Sequence, residues 1–233
     1  MMAALYLVPA PLGGAAPDAL PAAAIATVRT LRDFVAENPK SARAFLAALG
    51  MPCALRELGI ARLDEHTGAG EVPALLGPLR AGRSLGLVAE AGCPGVADPG
   101  AELVSLAHRE GFRVVPLIGP SAILLALMAS GFCGQRFAFC GYLPREREPR
   151  RRRIRELEQR SRAERQTQIF IETPYRNRAL LAALLEVCSA QTRLCVASDL
   201  TAAGESIVAR TIAEWRRRPL DAAENPAVFL LQA

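Results

Sequence analysis

Histidine and lysine are almost missing from this 233-residue chain, which has two histidines and a single lysine, Lys40, against a formal net charge of +5 carried by arginine. So few histidines leave a zinc site little support, and the six cysteines (Cys53, Cys93, Cys133, Cys140, Cys188, Cys195) form no Cys-x-x-Cys pair. Most of them lie in apolar runs, as the buried thiols of a cytoplasmic protein do. The N-terminus Met1-Met2-Ala-Ala-Leu-Tyr has no basic region, so no secretory signal is expected. A long apolar run is also lacking. Val114 to Gln135 carries no charge, but Pro116, Gly119 and Pro120 interrupt it and leave a helix of about ten residues after Ser121, too short to cross a bilayer. That segment reads as a buried helix. No strand is followed by a Gly-x-Gly-x-x-Gly turn, which argues against a nicotinamide dinucleotide, and no internal repeat stands out.

What is present is a glycine- and proline-rich box, Val88-Ala-Glu-Ala-Gly-Cys-Pro-Gly-Val-Ala-Asp-Pro-Gly100, followed by Gly119-Pro120-Ser121. An apolar run, Leu85 to Val88, feeds a loop and then a helix start, which is where open α/β sheets place ligand sites. Gly92 and Gly95 let a ligand approach the main chain, and Pro94 and Pro99 stiffen the loop. A plain strand-turn-helix connection would fit the same pattern but needs fewer glycines. Asp98 reads as an N-cap, Pro99 as the first helical residue and Gly111 as the stop, giving a helix over about Pro99 to Glu110.

Alternation of apolar runs and amphipathic stretches runs along the whole first half. Strands are expected at Leu5–Val8, Asp33–Ala36, Ser84–Glu90 and Phe112–Ile118. Helices are expected at Ala22–Leu31, at Ser41–Leu49 behind the cap Asn38-Pro39, and at Val72–Arg80, while Leu55–Leu63 is ambiguous. Such a βαβ order implies a mostly parallel sheet covered on both faces. After Gly131 the pattern changes. Strands at Phe137–Leu143, Gln168–Glu172, Leu194–Leu200, Glu205–Arg210 and Ala227–Leu231, with helices over about Arg150–Glu164 and Tyr175–Val187, predict a mixed sheet. The expected organisation is α/β throughout, as two domains, 1–119 and 120–233.

Charge concentrates in one place. Arg145 to Arg165 holds ten Arg and five Glu, a net of +5 that equals the net charge of the chain. Ile154 and Leu157 form a narrow apolar seam. Four cations, Arg150, Arg151, Arg152 and Arg153, at a helix start oppose the macrodipole, so helix stability does not explain them. RNA phosphate is one explanation and a solvated basic face is the other. Cys93 has no adjoining cation to lower its pKa and reads as a packing residue. A carboxylate at the Glu172 strand end must be paired, with Arg176 as the local partner, or must serve a ligand.

Together, Leu5-Tyr-Leu-Val-Pro-Ala-Pro-Leu-Gly13, Ala36-Glu37 with Arg43, Glu65-His66, the box, Gly119-Pro-Ser-Ala122, Ala129-Ser-Gly131, Gly141-Tyr-Leu-Pro144, Glu172-Thr-Pro-Tyr-Arg176 and Leu200-Thr201 resemble the S-adenosylmethionine-dependent tetrapyrrole methylase superfamily. Within it they are most similar to the ribosomal RNA small-subunit methyltransferase I branch, which methylates a cytidine ribose 2'-hydroxyl in 16S rRNA. The resemblance implies a two-domain α/β homodimer, free of membrane segments, with S-adenosyl-L-methionine in a cleft between domains. The matching cofactor positions are Pro9, Ala10, Glu90, Ala91, Gly92, Val96, Ser121, Ala122, Glu172, Thr173, Leu200, Asn225, Pro226 and Ala227. A sulfonium methyl is already activated, so placement matters most, and an RNA hydroxyl would gain from a base. His66 is the first candidate for that base and Glu37 the second; an ordinary loop histidine is the other reading of His66.

The chain departs from the branch where substrate is expected. Glu37-Asn38-Pro39-Lys40 stands for Glu-Asp-Thr-Arg, and Ser198-Asp199-Leu200-Thr201-Ala202 stands for Arg-Glu-Leu-Thr-Lys. Tyr175 replaces a usual His, the box carries Glu90 for Asp, Cys93 for Thr and Gly95 for a bulkier residue, and the C-terminal extension of the rRNA enzymes is not found after Ala227–Ala233. Three readings follow: an RNA ribose methyltransferase, a methyltransferase of a small molecule such as a tetrapyrrole, and a noncatalytic binding module on the cofactor fold.

Overall fold

In the N-terminal half, five short apolar segments pair in parallel. The structure, a computed structural model describing residues 3–13, 16–218 and 225–233, separates into two compact units, Met1–Ser121 and Ala122–Ala233. The strands of the first are β1 (Ala4–Val8), β2 (Asp33–Ala36), β3 (Gly59–Arg62), β4 (Leu85–Val88) and β5 (Arg113–Pro116), in the order β3-β2-β4-β1-β5. All are parallel, and the central β4 is buried along its whole length, as a strand covered on both faces must be. Gly86 of β4 lies beside Phe34 of β2, and a Cβ there would stand 2.6 Å from the phenyl ring, so the missing side chain lets that ring lie across the strand.

Helices α1 (Ala16–Ala19), α2 (Ala22–Arg29), α3 (Pro39–Ala48), α4 (Val72–Leu75), α5 (Gly77–Arg80) and α6 (Ala101–Arg109) connect these strands. Val28 of α2 and Ala42 and Leu46 of α3 pack with Val8, Phe34 and Val88 on one face. Val72, Leu76 and Leu79, with Leu103 and Ala107 of α6, pack with Leu5, Val35 and Leu87 on the other. Asn38 caps α3 as expected, its side chain accepting from Lys40 N at 3.0 Å and Ser41 N at 3.5 Å.

Other expectations are corrected. The single helix over Val72–Arg80 is two, because Pro78 cannot donate to a preceding carbonyl and forces a restart at Gly77. The ambiguous Leu55–Leu63 stretch is a 3₁₀ turn, Leu55–Glu57, followed by the edge strand β3. The helix after the box begins at Ala101. Its N-cap is Gly100 at φ +130° with no side-chain cap, so Asp98 is not the capping residue.

The second unit has strands β6 (Phe137–Tyr142), β7 (Thr167–Glu172), β8 (Arg193–Ser198), β9 (Ser206–Thr211) and β10 (Ala227–Gln232), in the order β6-β7-β10-β8-β9. Only β6 and β7 are parallel; β10 runs against β7 and β8, and β9 against β8, so the sheet is mixed as expected. Helices α7 (Ala122–Ser130), α8 (Arg147–Glu164), α9 (Asn177–Val187) and α10 (Ile212–Arg217) complete it. The core gathers Ile154, Leu157, Leu180, Leu184 and Trp215 around stacked Phe170 and Phe229. α10 was not anticipated, although Thr211 and Glu214 form a capping box. α7 is less buried than a core helix, with Leu124 51% and Met128 78% exposed. Among the described residues, no helix is long and apolar enough to cross a membrane.

Candidate functional site

A parallel sheet delivers the carboxyl ends of all its strands to one edge. Here β1 and β2 hand their chains to α2 and α3 on one face, whereas β4, which lies between them, sends its chain to α6 on the other. That divergence opens the edge at β4, the topological switch point where α/β sheets accept ligands. The box follows β4, Pro9 and Ala10 follow β1, Glu37 follows β2, and Gly119–Ser121 lie beyond β5.

The loops at this edge are joined through backbone. Ala10 N donates to Gly92 O at 2.9 Å and Gly92 N to Ala10 O at 3.0 Å, a small bridge between the loops after β1 and β4. The Cys93 thiol reaches Pro120 O at 3.4 Å, and burial pushes its pKa up, which suits a packing thiol. Gly119 passes so close to Pro9 that a Cβ would stand 2.3 Å from the proline Cβ. In the box itself Ala97 is held at φ 54°, a conformation that non-glycine residues rarely adopt and that clusters at functional sites.

Around this backbone sit carboxylates. Asp98 is half-buried and its pKa is pushed up to about 6. Burial is the main cause and the Glu37 and Glu90 charges add to it, while hydrogen bonds from the backbone N–H groups of Gly95 and Glu90 act in the opposite direction. Asp98 is thus part of the buried side of the box, and α6 begins after it at Ala101 without a side-chain cap. Glu37 is also raised, first by burial and then by Glu90, Glu65 and Asp64. Asp64 accepts from His66 N and from Thr67 Oγ1, both at 3.0 Å, and shapes the loop after β3. The His66 side chain is 80% exposed, with Nε2 3.7 Å from Glu65 Oε1. Glu90, Ala91 and Val96 are exposed on the box, and Gly92 is buried within it. Asp64 and Asp98 were not singled out as site residues from the sequence. Four acids, Glu37, Asp64, Glu65 and Glu90, stand within three residues of the carboxyl ends of this sheet's strands, a signal that includes Asp64; Asp98 lies ten residues beyond β4 and reaches the edge only through the folded box.

The second unit gathers its matching positions at one end of its own sheet. Glu172 ends β7 in register with Ala227, and Ala227 is in register with Ser198 of β8. Glu172 Oε1 accepts from Thr173 N at 2.7 Å and from Arg176 Nη2, which makes Arg176 its partner. Asn177 donates to Asn225 O at 2.7 Å, Asn225 donates to the Asp199 carboxylate, and Asp199 N donates to Pro226 O at 3.0 Å. This network pins Asn225 and Pro226 beside Leu200. Glu172 Oε2 and Asn177 Oδ1 are buried without a hydrogen-bond partner among the described residues, a pattern that calls for a donor. Ala122 opens α7, and Cys133, just beyond that helix, donates to Gln232 Oε1 at 3.2 Å, so α7 begins toward the end of the sheet where β10 begins.

The four expected RNA contacts on α8 are not equivalent. Arg151 is bound to Glu186 of α9, and Arg153 pairs with Glu156 at 3.1 Å. Arg150 is half-buried with an unpaired Nε, and Arg152 is exposed.

Residues 4–215 match the family model of the Tetrapyrrole (Corrin/Porphyrin) Methylases. A ribosomal RNA small subunit methyltransferase I from Bacillus subtilis (strain 168) is 31% identical over 213 residues, 91% of this chain and 69% of that protein. Another of the same name, from Mesorhizobium japonicum, is 34% identical over 209 residues, 90% of this chain and 67% of that protein. Among solved structures, the methyltransferase CobJ superposes with a TM-score of 0.64 at 21% identity, covering 99% of this chain and 94% of its own. The Thermus thermophilus uroporphyrin-III C-methyl transferase complexed with S-adenyl homocysteine superposes with a TM-score of 0.59 at 18% identity, covering 98% of this chain and 97% of its own.

Proposed function

This chain belongs to the tetrapyrrole (corrin/porphyrin) methylase family of S-adenosylmethionine-dependent methyltransferases, and on that premise we propose that its acceptor is a ribose 2'-hydroxyl of small-subunit ribosomal RNA. The observation that carries the acceptor is the similarity over about nine-tenths of the chain to relatives named for that RNA, at 31% and 34% identity. Such an acceptor implies work in the cytoplasm. A second copy of the chain is the proposed cover for Leu124 and Met128, because a helix without polar flanks belongs in a contact.

The residues present suit the cofactor. Bound S-adenosylmethionine supplies an electrophilic methyl on a sulfonium cation and has no phosphate. The β4 edge matches this with backbone groups at close approach and the carboxylates Glu90 and Asp98, and it needs no cationic nest. Glu172 Oε2 and Asn177 Oδ1 are orphaned acceptors suited to amino or hydroxyl donors. Pro9, Ala10, Ala91, Gly92, Val96 and Ser121 contribute shape, and in the second unit Ala122, Thr173, Leu200, Asn225, Pro226 and Ala227 do the same.

A ribose hydroxyl attacks faster as its proton leaves, and Glu37 carries the base role better than His66. Glu37 directly follows β2 beside the switch point, and its raised pKa makes it a stronger proton acceptor than an ordinary glutamate. His66 lies in the loop of the edge strand, open to solvent.

Methyl transfer from labelled S-adenosylmethionine to RNA and to small-molecule fractions from cells lacking the protein tests the acceptor. Label in ribosomal RNA is expected. Label confined to a small molecule such as a tetrapyrrole overturns the RNA acceptor, and no transfer to any fraction despite cofactor binding indicates a binding module.

A further inference from the structure

The run Arg150–Arg153 is contiguous in sequence but not on the surface, because successive residues of an α-helix point about 100° apart. α8 buries Ile154, Leu157, Glu158 and Ser161. Glu158 accepts from Ser189 N at 2.7 Å and from Thr192 Oγ1, which welds the helix to the segment after α9. The arginines flanking this buried seam are engaged. Arg151 is only 20% exposed in its side chain and is held by Glu186, with Glu148 at 3.8 Å. Arg153 pairs with Glu156, and Arg160 with Glu164 at 3.1 Å.

Three further arginines of α8 differ in exposure and pairing rather than in face, Arg162 lying only about 20° from Arg151 around the helix. Arg152 and Arg155 are exposed, and neither has an ion pair among the described residues. Arg162 is 60% exposed and only 4.0 Å from Glu158, whose oxygen is already occupied by Ser189 and Thr192. Helical spacing puts these three within roughly 80° of one another, along about 15 Å of axis. Arg145 and Arg165, both exposed, flank the two ends of α8 and add to the local positive charge. The surrounding charge has the same sign: Ala122–Ala233 holds eighteen basic against twelve acidic residues, and Met1–Ser121 ten against eleven.

We propose that Arg152, Arg155 and Arg162 form the surface on which RNA phosphates dock, and that Arg151 and Arg153 serve the fold instead. This rests on the RNA acceptor argued above. Guanidinium groups held at fixed spacing on a braced helix engage phosphate oxygens and release counterions, so the contact is salt-dependent and tolerant of sequence. Identity of the methylated nucleotide must then be read elsewhere, and the stripe supplies affinity and orientation.

Binding of 30S subunits and of 16S rRNA fragments is measured against salt for the wild-type protein, for the triple variant R152Q/R155Q/R162Q, for the matching triple lysine variant and for R151Q. Cofactor affinity and thermal unfolding are measured on each. The glutamine triple is expected to bind RNA at least about tenfold more weakly near 0.1 M salt, with a log–log salt slope shallower by about two to three, and to keep its cofactor affinity. The lysine triple should retain most of the slope, and R151Q should shift thermal stability while leaving the slope alone. Wild-type RNA affinity and slope in the glutamine triple would overturn the stripe while leaving the RNA acceptor intact. A wild-type protein that neither binds nor methylates RNA would overturn the acceptor, and with it the stripe.

Discussion

In the N-terminal sheet all five strands point one way, so five carboxyl ends and the loops that follow them meet at a single edge. In the C-terminal sheet β9 and β10 run against their neighbours, so each end mixes incoming and outgoing chain. The first edge is lined by backbone and by carboxylates held near one another. The corresponding end of the second is a linked set of polar partners, Glu172 with Arg176 and Asn177 with Asn225 and Asp199, with Glu172 Oε2 and Asn177 Oδ1 left unpaired among the described residues, while many of its cations are carried on α8. Parallel topology concentrates loops where a small cationic ligand can be surrounded. Mixed topology gives an end linked by side-chain pairs and leaves exposed cations on a helix. The net charges of the units, −1 and +6 by residue count, follow the same division.

If the first edge holds the chemistry, Glu37→Gln should lower turnover on RNA by about 10²-fold or more with cofactor affinity nearly kept, as loss of a general base does. His66→Ala, a change on the exposed loop, should cost much less. Stopped single-turnover assays with titrated cofactor check this, and a larger loss from His66→Ala would move the base to the histidine.

The polar-paired end of the second sheet should fail by unfolding. Glu172→Ala strands the mostly buried Arg176 guanidinium, which costs about 3–5 kcal/mol. Urea denaturation followed through Trp215, buried in that unit, reads the loss. An unchanged midpoint would show that Arg176 finds another partner.

Asp98 sharpens the comparison through pH. Its folded pKa of about 6 lies above its ordinary 3.8, so the folded protein holds the proton longer than the unfolded chain. Stability is therefore greatest below about pH 4 as far as this group is concerned, and it declines as pH rises toward 6, by at most about 3 kcal/mol. Cofactor affinity should move oppositely, rising from pH 5 to 7 as the carboxylate gains the charge that faces a sulfonium. Asp98→Asn should flatten both profiles; calorimetry across that range in which the variant keeps the wild-type slope would remove Asp98 from the site.

Gly119→Ala places a Cβ against the Pro9 ring, whose backbone-anchored atoms cannot move aside cheaply, and about 1–3 kcal/mol of cofactor binding or local stability should be lost. Normal cofactor affinity would mean that the meeting of the β1 and β5 loops is not needed. The smallest effect belongs to Arg151→Gln on the second unit, at most about 1 kcal/mol for a partly exposed ion pair, read as a shift of the thermal midpoint.

Much of the fold was legible because its signals are local. The apolar runs of β1 and β4 mark buried strands, and Asn38-Pro39 carries the cap and first turn of α3 in adjacent residues. The Thr211-x-x-Glu214 box was equally local and passed unread. Asp98-Pro-Gly100 misled because Asp-Pro is also a good helix start. Only the folded loop half-buries that carboxylate near Glu37 and Glu90 and moves the helix start on to Ala101. Arg150–Arg153 are adjacent in sequence but not on a surface, because successive helical residues point about 100° apart.

The chain's own residues thus determined the strands, the glycine box, the mixed character of the second sheet and the family they resemble, because propensity, capping and backbone freedom act over a few residues. Tertiary structure alone decided which carboxylates share the β4 edge, that Glu172 is clamped by Arg176 with one oxygen left unpaired, and which arginines of α8 face outward. Those outcomes depend on burial and on charges brought together from distant parts of the sequence, and both arise only when the sheets close.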